Sequence, residues 1–168
     1  MYKHLLAVSC FLFTFSVSAS EIPQISADEC VIRAAIDGSD RTAAYVNITN
    51  NTGSHLELTS VKIDELADAD KIELHNMSME NGIMKMQQVD TIQLPQGQTI
   101  SLRPGGLHIM ITELHTLPKA EQSYEMKLIF SDDSEQSCIG EVRNLEDIKK
   151  MATMDMEHKN MAHDSMKH

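Results

Sequence analysis

The sequence predicts an all-β domain, an antiparallel sandwich or small barrel, followed by a flexible tail rich in Met and His. Three observations predict it. Between residues 26 and 142 the apolar side chains come in short, often alternating runs, turn-forming residues separate those runs, and no long segment has a helical period. At 168 residues and 42% hydrophobic, the chain has material for one such core and too little for two.

The elements follow in chain order. Residues 1–4 carry Lys3, residues 5–17 are apolar, and Val17-Ser18-Ala19 offers the small residues that a signal peptidase reads, so residues 1–19 are expected to be a signal peptide cleaved near Ala19. A lipid anchor through Cys10 fits poorly, because only about five apolar residues precede it. The apolar run is also shorter than the roughly 20 residues of a spanning helix, so no membrane insertion is expected after cleavage. The domain should occupy residues 24–144. Strands are expected at 30–36 and 42–49, parted by Asp37-Gly38, and at 56–63 after the Asn50-Asn51-Thr52-Gly53 turn. Residues 63–69 leave room for one helical turn. Strands at 71–75 and 82–89 flank Asn81-Gly82, and a strand at 99–102 follows Pro95-Gln96-Gly97. Pro104-Gly105-Gly106 introduces a strand at 107–114, and strands at 124–131 and 137–142 close the domain.

Charge and cysteine count narrow the function. Lys and Arg number 14 against 25 Asp and Glu, a formal charge of -11, which sets nucleic acids and anionic membranes aside as partners. Loss of the signal leaves two cysteines, Cys30 and Cys138, which in an oxidising compartment read as a disulfide. The competing reading, a thiolate metal site, lacks a neighbouring Cys or His at ligand spacing.

The unusual weighting is 12 Met and 8 His against no Trp. Period-two patterning places them. With Leu107, Ile109 and Ile111 facing the core, His108 and Met110 point the other way, side by side. With Ile72 and Leu74 inward, Glu73 and His75 point outward, and Met84 and Met86 share a face. A single His on a strand is more often a surface residue than a ligand, and Met most often fills a core. Here His75, Met77, Met79, Met84 and Met86 crowd within twelve residues around an Asn-Gly turn. Thioether sulfur is soft, neutral and needs no deprotonation, so the set favours Cu(I) over zinc. Two imidazoles and two thioethers would hold the ion yet release it to stronger ligands, which suits carriage better than catalysis.

The run from Glu73 to Met86, with Leu102-Arg103-Pro104-Gly105-Gly106-Leu107-His108-Ile109-Met110, resembles the periplasmic PCuAC family of copper chaperones. Its signature is His, ten residues, Met, twenty-one residues, then His-x-Met. Ten residues separate His75 from Met86 and twenty-one separate Met86 from His108. The resemblance extends from about Val31 to Val142. It implies a cupredoxin-like β-sandwich in the periplasm with His75, Met86, His108 and Met110 as Cu(I) ligands. It also implies delivery toward the dinuclear copper centre of cytochrome c oxidase, often alongside a thioredoxin-like copper protein. Cys30 and Cys138 are not part of that signature.

Residues 145–168 form the expected tail. Met151, Met154, Met156, His158, Met161, His163, Met166 and His168 give eight potential ligands in eighteen residues, able to take Cu(II) through His as well as Cu(I) through Met. The competing reading is an amphipathic helix, since Leu145, Ile148, Met151, Met154, His158 and Met161 fall at helical spacing. Met77, Met79 and Met84 are auxiliary metal candidates. A blue-copper carrier would need His and Met close after a Cys, and none follows Cys138 before His158. No nucleophile, base or carboxylate pair forms a catalytic constellation, so no enzyme is expected. The alternative to delivery is copper buffering or resistance without a dedicated recipient.

Overall fold

The computed structural model describes residues 24–80 and 82–151; the expected signal segment and the tail beyond Met151 lie outside the described residues. Ten strands occur among the described residues. They are β1 (Ile25–Arg33), β2 (Thr42–Asn50), β3 (Leu56–Lys62), β4 (Ile72–Glu80), β5 (Ile83–Gln88), β6 (Ile92–Leu94), β7 (Thr99–Leu102), β8 (His108–Ile111), β9 (Ser123–Phe130) and β10 (Glu135–Arg143). A 3-10 turn at Ala69–Lys71 precedes β4, and residues 145–151 are helical (α1). The fold is the expected β-sandwich, of cupredoxin-like form.

The strands run in the order β5-β4-β8-β2-β1-β10-β9-β3-β6, with β7 also paired to β2. β1 and β10 run parallel, so the sheet is mixed where antiparallel pairing was expected throughout. Alternation along one strand carries no information about the direction of a partner a hundred residues away. The inward faces enclose a core that includes Ile32, Val46, Ile48, Leu58, Leu94, Ile109, Leu128 and Phe130. Full burial of such side chains contributes roughly 1.5–3 kcal/mol each before entropy is counted.

β2 is buried on both faces. Ala44, Val46 and Ile48 enter the main core, while Ala43 and Tyr45 lie with Val31 under Ile148 of α1 and Met151 packs beside them. The helical reading therefore holds for residues 145–151, an element that lies wholly on the tail side of the boundary placed at residue 145 and docks on the sheet. Ile148 alone supplies the apolar anchor.

Cys30 and Cys138 are bonded, S–S 2.03 Å, joining β1 to β10. Gly140 on β10 sits between buried side chains of the two flanking strands, β1 and β9. A Cβ there would lie 2.7 Å from Met126 Sδ and 2.9 Å from Ile32 Cδ1, both fully buried. Gly140→Val is expected to lower stability by about 1–3 kcal/mol through overpacking. A shift of the urea midpoint checks this.

Candidate metal centre

The candidate residues lie on the sheet face opposite the main core, toward the β5 edge. β4 runs to Glu80 rather than ending at His75, so a single strand presents Glu73, His75, Met77 and Met79 on one face while Ile72 and Leu74 enter the core. Antiparallel pairing with β8 sets His75 opposite His108 and Glu73 opposite Met110. Pairing with β5 sets Met77 opposite Met86 and Met79 opposite Met84. The hairpin turn is permitted by Gly82 at φ +79.

β7 and β8 both pair with β2, and residues 103–107 loop out between them. Gly105, at φ +84, turns this loop so that the Gly106 carbonyl points back toward β4. That carbonyl accepts the Met77 backbone N–H at 3.2 Å and the His108 Nδ1–H at 2.9 Å. His75 Nε2–H donates to the Glu73 carboxylate at 2.7 Å. Each imidazole thus has one nitrogen engaged and the lone pair of the other free in the neutral form. The free nitrogen of His75, Nδ1, is buried with no hydrogen-bond partner. The rings stand 5.7 Å apart between centroids, tilted by 56°.

His108 is 5% exposed, more enclosed than an outward strand position suggests. With Met77, Met86 and Met110 it lines an open hollow of about 230 Å³, to which Arg33, Tyr45 and Leu145 also contribute. Burial pushes the His108 pKa below the ordinary imidazole value; the hydrogen bond to Gly106 opposes this, and the charges of His75 and Arg33 add to it. Burial likewise raises the Tyr45 phenol, with Arg33 opposing. The imidazole of His108 is therefore held neutral, the form that coordinates metal.

Among the described residues no three of His, Cys, Asp and Glu are placed to hold a metal ion. A centre on this face has to draw on thioethers, which selects soft ions. Met77, Met86, His108 and Met110 share the hollow, while His75 is not among its lining residues and stands against the His108 ring; Met79 and Met84 lie further along the hairpin. Met151 lies apart from them, its Sδ accepting a hydrogen bond from Arg143 Nη1 at 3.0 Å. Met154, Met156, His158, Met161, His163, Met166 and His168 lie outside the described residues. Sequence reasoning missed the orienting roles of Glu73 and Gly106. Both stand two residues before a candidate His, Glu73 on the same face of β4 and Gly106 in the loop before β8, and that offset was the available signal. Arg33, Tyr45 and Leu145 come from distant elements and left no local signal.

The fold is shared with known proteins. The solved structure "Copper-bound PCuAC domain from PmoF2" matches with a TM-score of 0.60 at 20% identity, over 74% of this chain and 96% of that one. "Solution structure of apo-DR1885 from Deinococcus radiodurans" matches with a TM-score of 0.54 at 19% identity, over 86% and 97%. At such identities the likeness shows the fold. A curated relative, "Putative lipoprotein Lxx21020" of Leifsonia xyli subsp. xyli (strain CTCB07), is 35% identical over 99 residues, which are 58% of this chain. The match spans only 57% of that relative's length. A family model described as "Putative lipoprotein LpqE-like" matches residues 25–139, most of the described domain. Over that span, which holds both histidines and the whole β4–β5 hairpin, the chain belongs to the LpqE-like family.

Proposed function

We propose that the protein is an exported copper carrier that binds one Cu(I) through His75, Met86, His108 and Met110 and hands it to a copper-accepting protein. The recipient in this reading is the dinuclear copper centre of cytochrome c oxidase or a thioredoxin-like copper assembly protein. Residues 1–19 act as the export signal toward the periplasm, and the chain beyond Met151 holds further copper as Cu(I) or Cu(II). The copper-bound PCuAC domain among the structural neighbours supports the cargo, and the lipoprotein character of the family and the curated relative supports export. The observation that carries the reading is the pair of imidazoles oriented by Glu73 and Gly106, one of them with a buried, unpartnered nitrogen facing no protein donor. Such outer hydrogen bonds fix the tautomer of a metal-binding His and raise its basicity.

Anaerobic competition titration against a Cu(I) chelator tests it. Losing an orienting partner typically costs 10–100-fold in metal affinity, so His75→Ala or His108→Ala, which remove a ligand, should each cost at least about 100-fold. Glu73→Ala should cost about 10-fold by the same argument. Replacing the Met and His residues beyond Met151 should reduce copper stoichiometry and leave one tight Cu(I). Unchanged affinity in both histidine variants would overturn the site. Transfer to an apo-recipient separates delivery from storage.

A further inference from the structure

The β4–β5 hairpin carries more thioethers than the four-ligand site uses. With Met86 assigned to that site, Met77, Met79 and Met84 remain, and the hairpin register brings them together. The Val89 backbone N–H bonds to the Leu74 carbonyl at 2.9 Å, which makes the even-numbered positions of β4 the hydrogen-bonded pairs. Met77–Met86 and Met79–Met84 are therefore the non-hydrogen-bonded pairs, in which facing side chains approach most closely, with Cβ atoms about 5 Å apart. The two pairs are successive rungs on one face, continuous with His75 on the next rung.

On β4 exposure rises toward the tip, and β5 is exposed throughout. His108 is 5% exposed, Met86 is 50%, and at the tip Met84 is 46% and Met79 is 64%. Exposed thioethers on an edge strand add nothing to the core and lack the branched shape that suits a strand. The opposite face of the hairpin is largely polar, with Ser78, Glu80, Lys85 and Gln87, and Lys85 Nζ pairs with Glu80 there at 2.6 Å. Glu80 and Lys85, the charged residues near the tip, thus lie on its other side, and the Met79–Met84 rung itself is soft and uncharged.

We propose that Met77, Met79 and Met84 form a second, outer Cu(I) site, a three-thioether station at the hairpin tip through which the ion passes between the inner site and a partner. Passage to the inner site rests on the function proposed above; binding at the tip does not. Three neutral sulfurs suit Cu(I) and reject Zn(II) and Cu(II), which need nitrogen or oxygen donors. Three thioethers without imidazole also make a weaker set than two imidazoles with two thioethers, as a site of exchange requires.

The test is an anaerobic titration of the full chain, labelled with carbon-13 at the methionine methyls, with Cu(I) up to five equivalents. Methionine-to-leucine variants assign the resonances. The first equivalent should shift Met86 and Met110, and a later one should shift Met77, Met79 and Met84; Zn(II) should shift none of them. Met79→Leu with Met84→Leu should remove one equivalent of bound Cu(I) and leave the affinity of the first unchanged. If the Met79 and Met84 methyls stay in place to five equivalents while those beyond Met151 move, the outer site is overturned. If Met79 and Met84 move but Met86 and Met110 never do, the inner site fails and the outer one stands.

Discussion

Cys30→Ala with Cys138→Ala is expected to lower the stability of the apo fold by roughly 4 to 5 kcal/mol, with little change in Cu(I) affinity. The bond closes a loop with a sequence separation of 108, and in the chain-entropy model a loop of about 100 residues confines the unfolded ensemble by about that much. Its place in the fold explains the second half of the expectation. Cys30 packs into the main core from β1, where the register shifts between Asp28 and Val31, and Cys138 lies opposite Met126 on β10. Both strands are separated from β4 by β2 and β8. Denaturant unfolding of oxidised, reduced and doubly substituted protein, each followed by a Cu(I) competition titration, checks both halves. A midpoint unchanged by reduction would mean that the bond constrains nothing the core does not already hold. Loss of copper affinity in the substituted but still folded protein would mean that the sheet transmits the change to the β4–β8 face.

The bond also limits which sulfurs a metal could meet. With both thiols consumed, the sulfur donors of the described domain are thioethers, which cannot be lost to disulfide formation. A reductant used to keep copper as Cu(I) would reopen two thiolates, so the competition titrations call for one that does not reduce disulfides.

What could be read beforehand was whatever one strand or one turn decides. Ile72 and Leu74 against Glu73 and His75, and Ile109 and Ile111 against His108 and Met110, took their faces as period two requires, because each of these strands has a dry side and a wetter one. The Asn-Gly hairpin and the Pro-Gly-Gly loop were legible because glycine alone reaches positive φ without cost. Three residues at Ile92–Leu94 are too few to show a period, so β6 was missed. β4 was cut short at His75 because Asn76, Ser78 and Glu80 look like loop residues; they are the outer face of a hairpin whose other side is thioether. α1 is faint in the sequence because no Leu, Ile or Val follows Ile148 to continue an apolar stripe. Its partners Val31, Ala43 and Tyr45 come from strands a hundred residues earlier, and no window along the sequence contains them.

The burial of His108 has a consequence for pH. Imidazole must be neutral to bind copper, whereas thioether carries no proton, so Cu(I) affinity should fall as pH drops through the imidazole range. An imidazole titrating at roughly 6.5 loses about 30-fold in affinity by pH 5, and two together about 1,000-fold. Because burial lowers the proton affinity of His108, its proton competes only at lower pH, and its share of the loss is smaller than that of an ordinary imidazole. The sign for folding runs the same way. The unfolded chain takes up a proton at roughly 6.5 while folded His108 does not, so the apo fold loses that share of stability as pH falls below this value and keeps it above. Circular dichroism at each pH therefore has to accompany the titration. The protein to use is the full chain with His158, His163 and His168 replaced by Asn, so that the response reports the described domain. Replacing His75 and His108 together with Met should flatten the profile, keep some Cu(I) affinity through sulfur, and abolish Cu(II) binding by the domain, since the harder ion depends on nitrogen. A flat profile in the protein that retains both histidines would mean that neither coordinates copper. The centre would then have to be rebuilt from Met77, Met79, Met84, Met86 and Met110 alone, with the two imidazoles reduced to packing between β4 and β8.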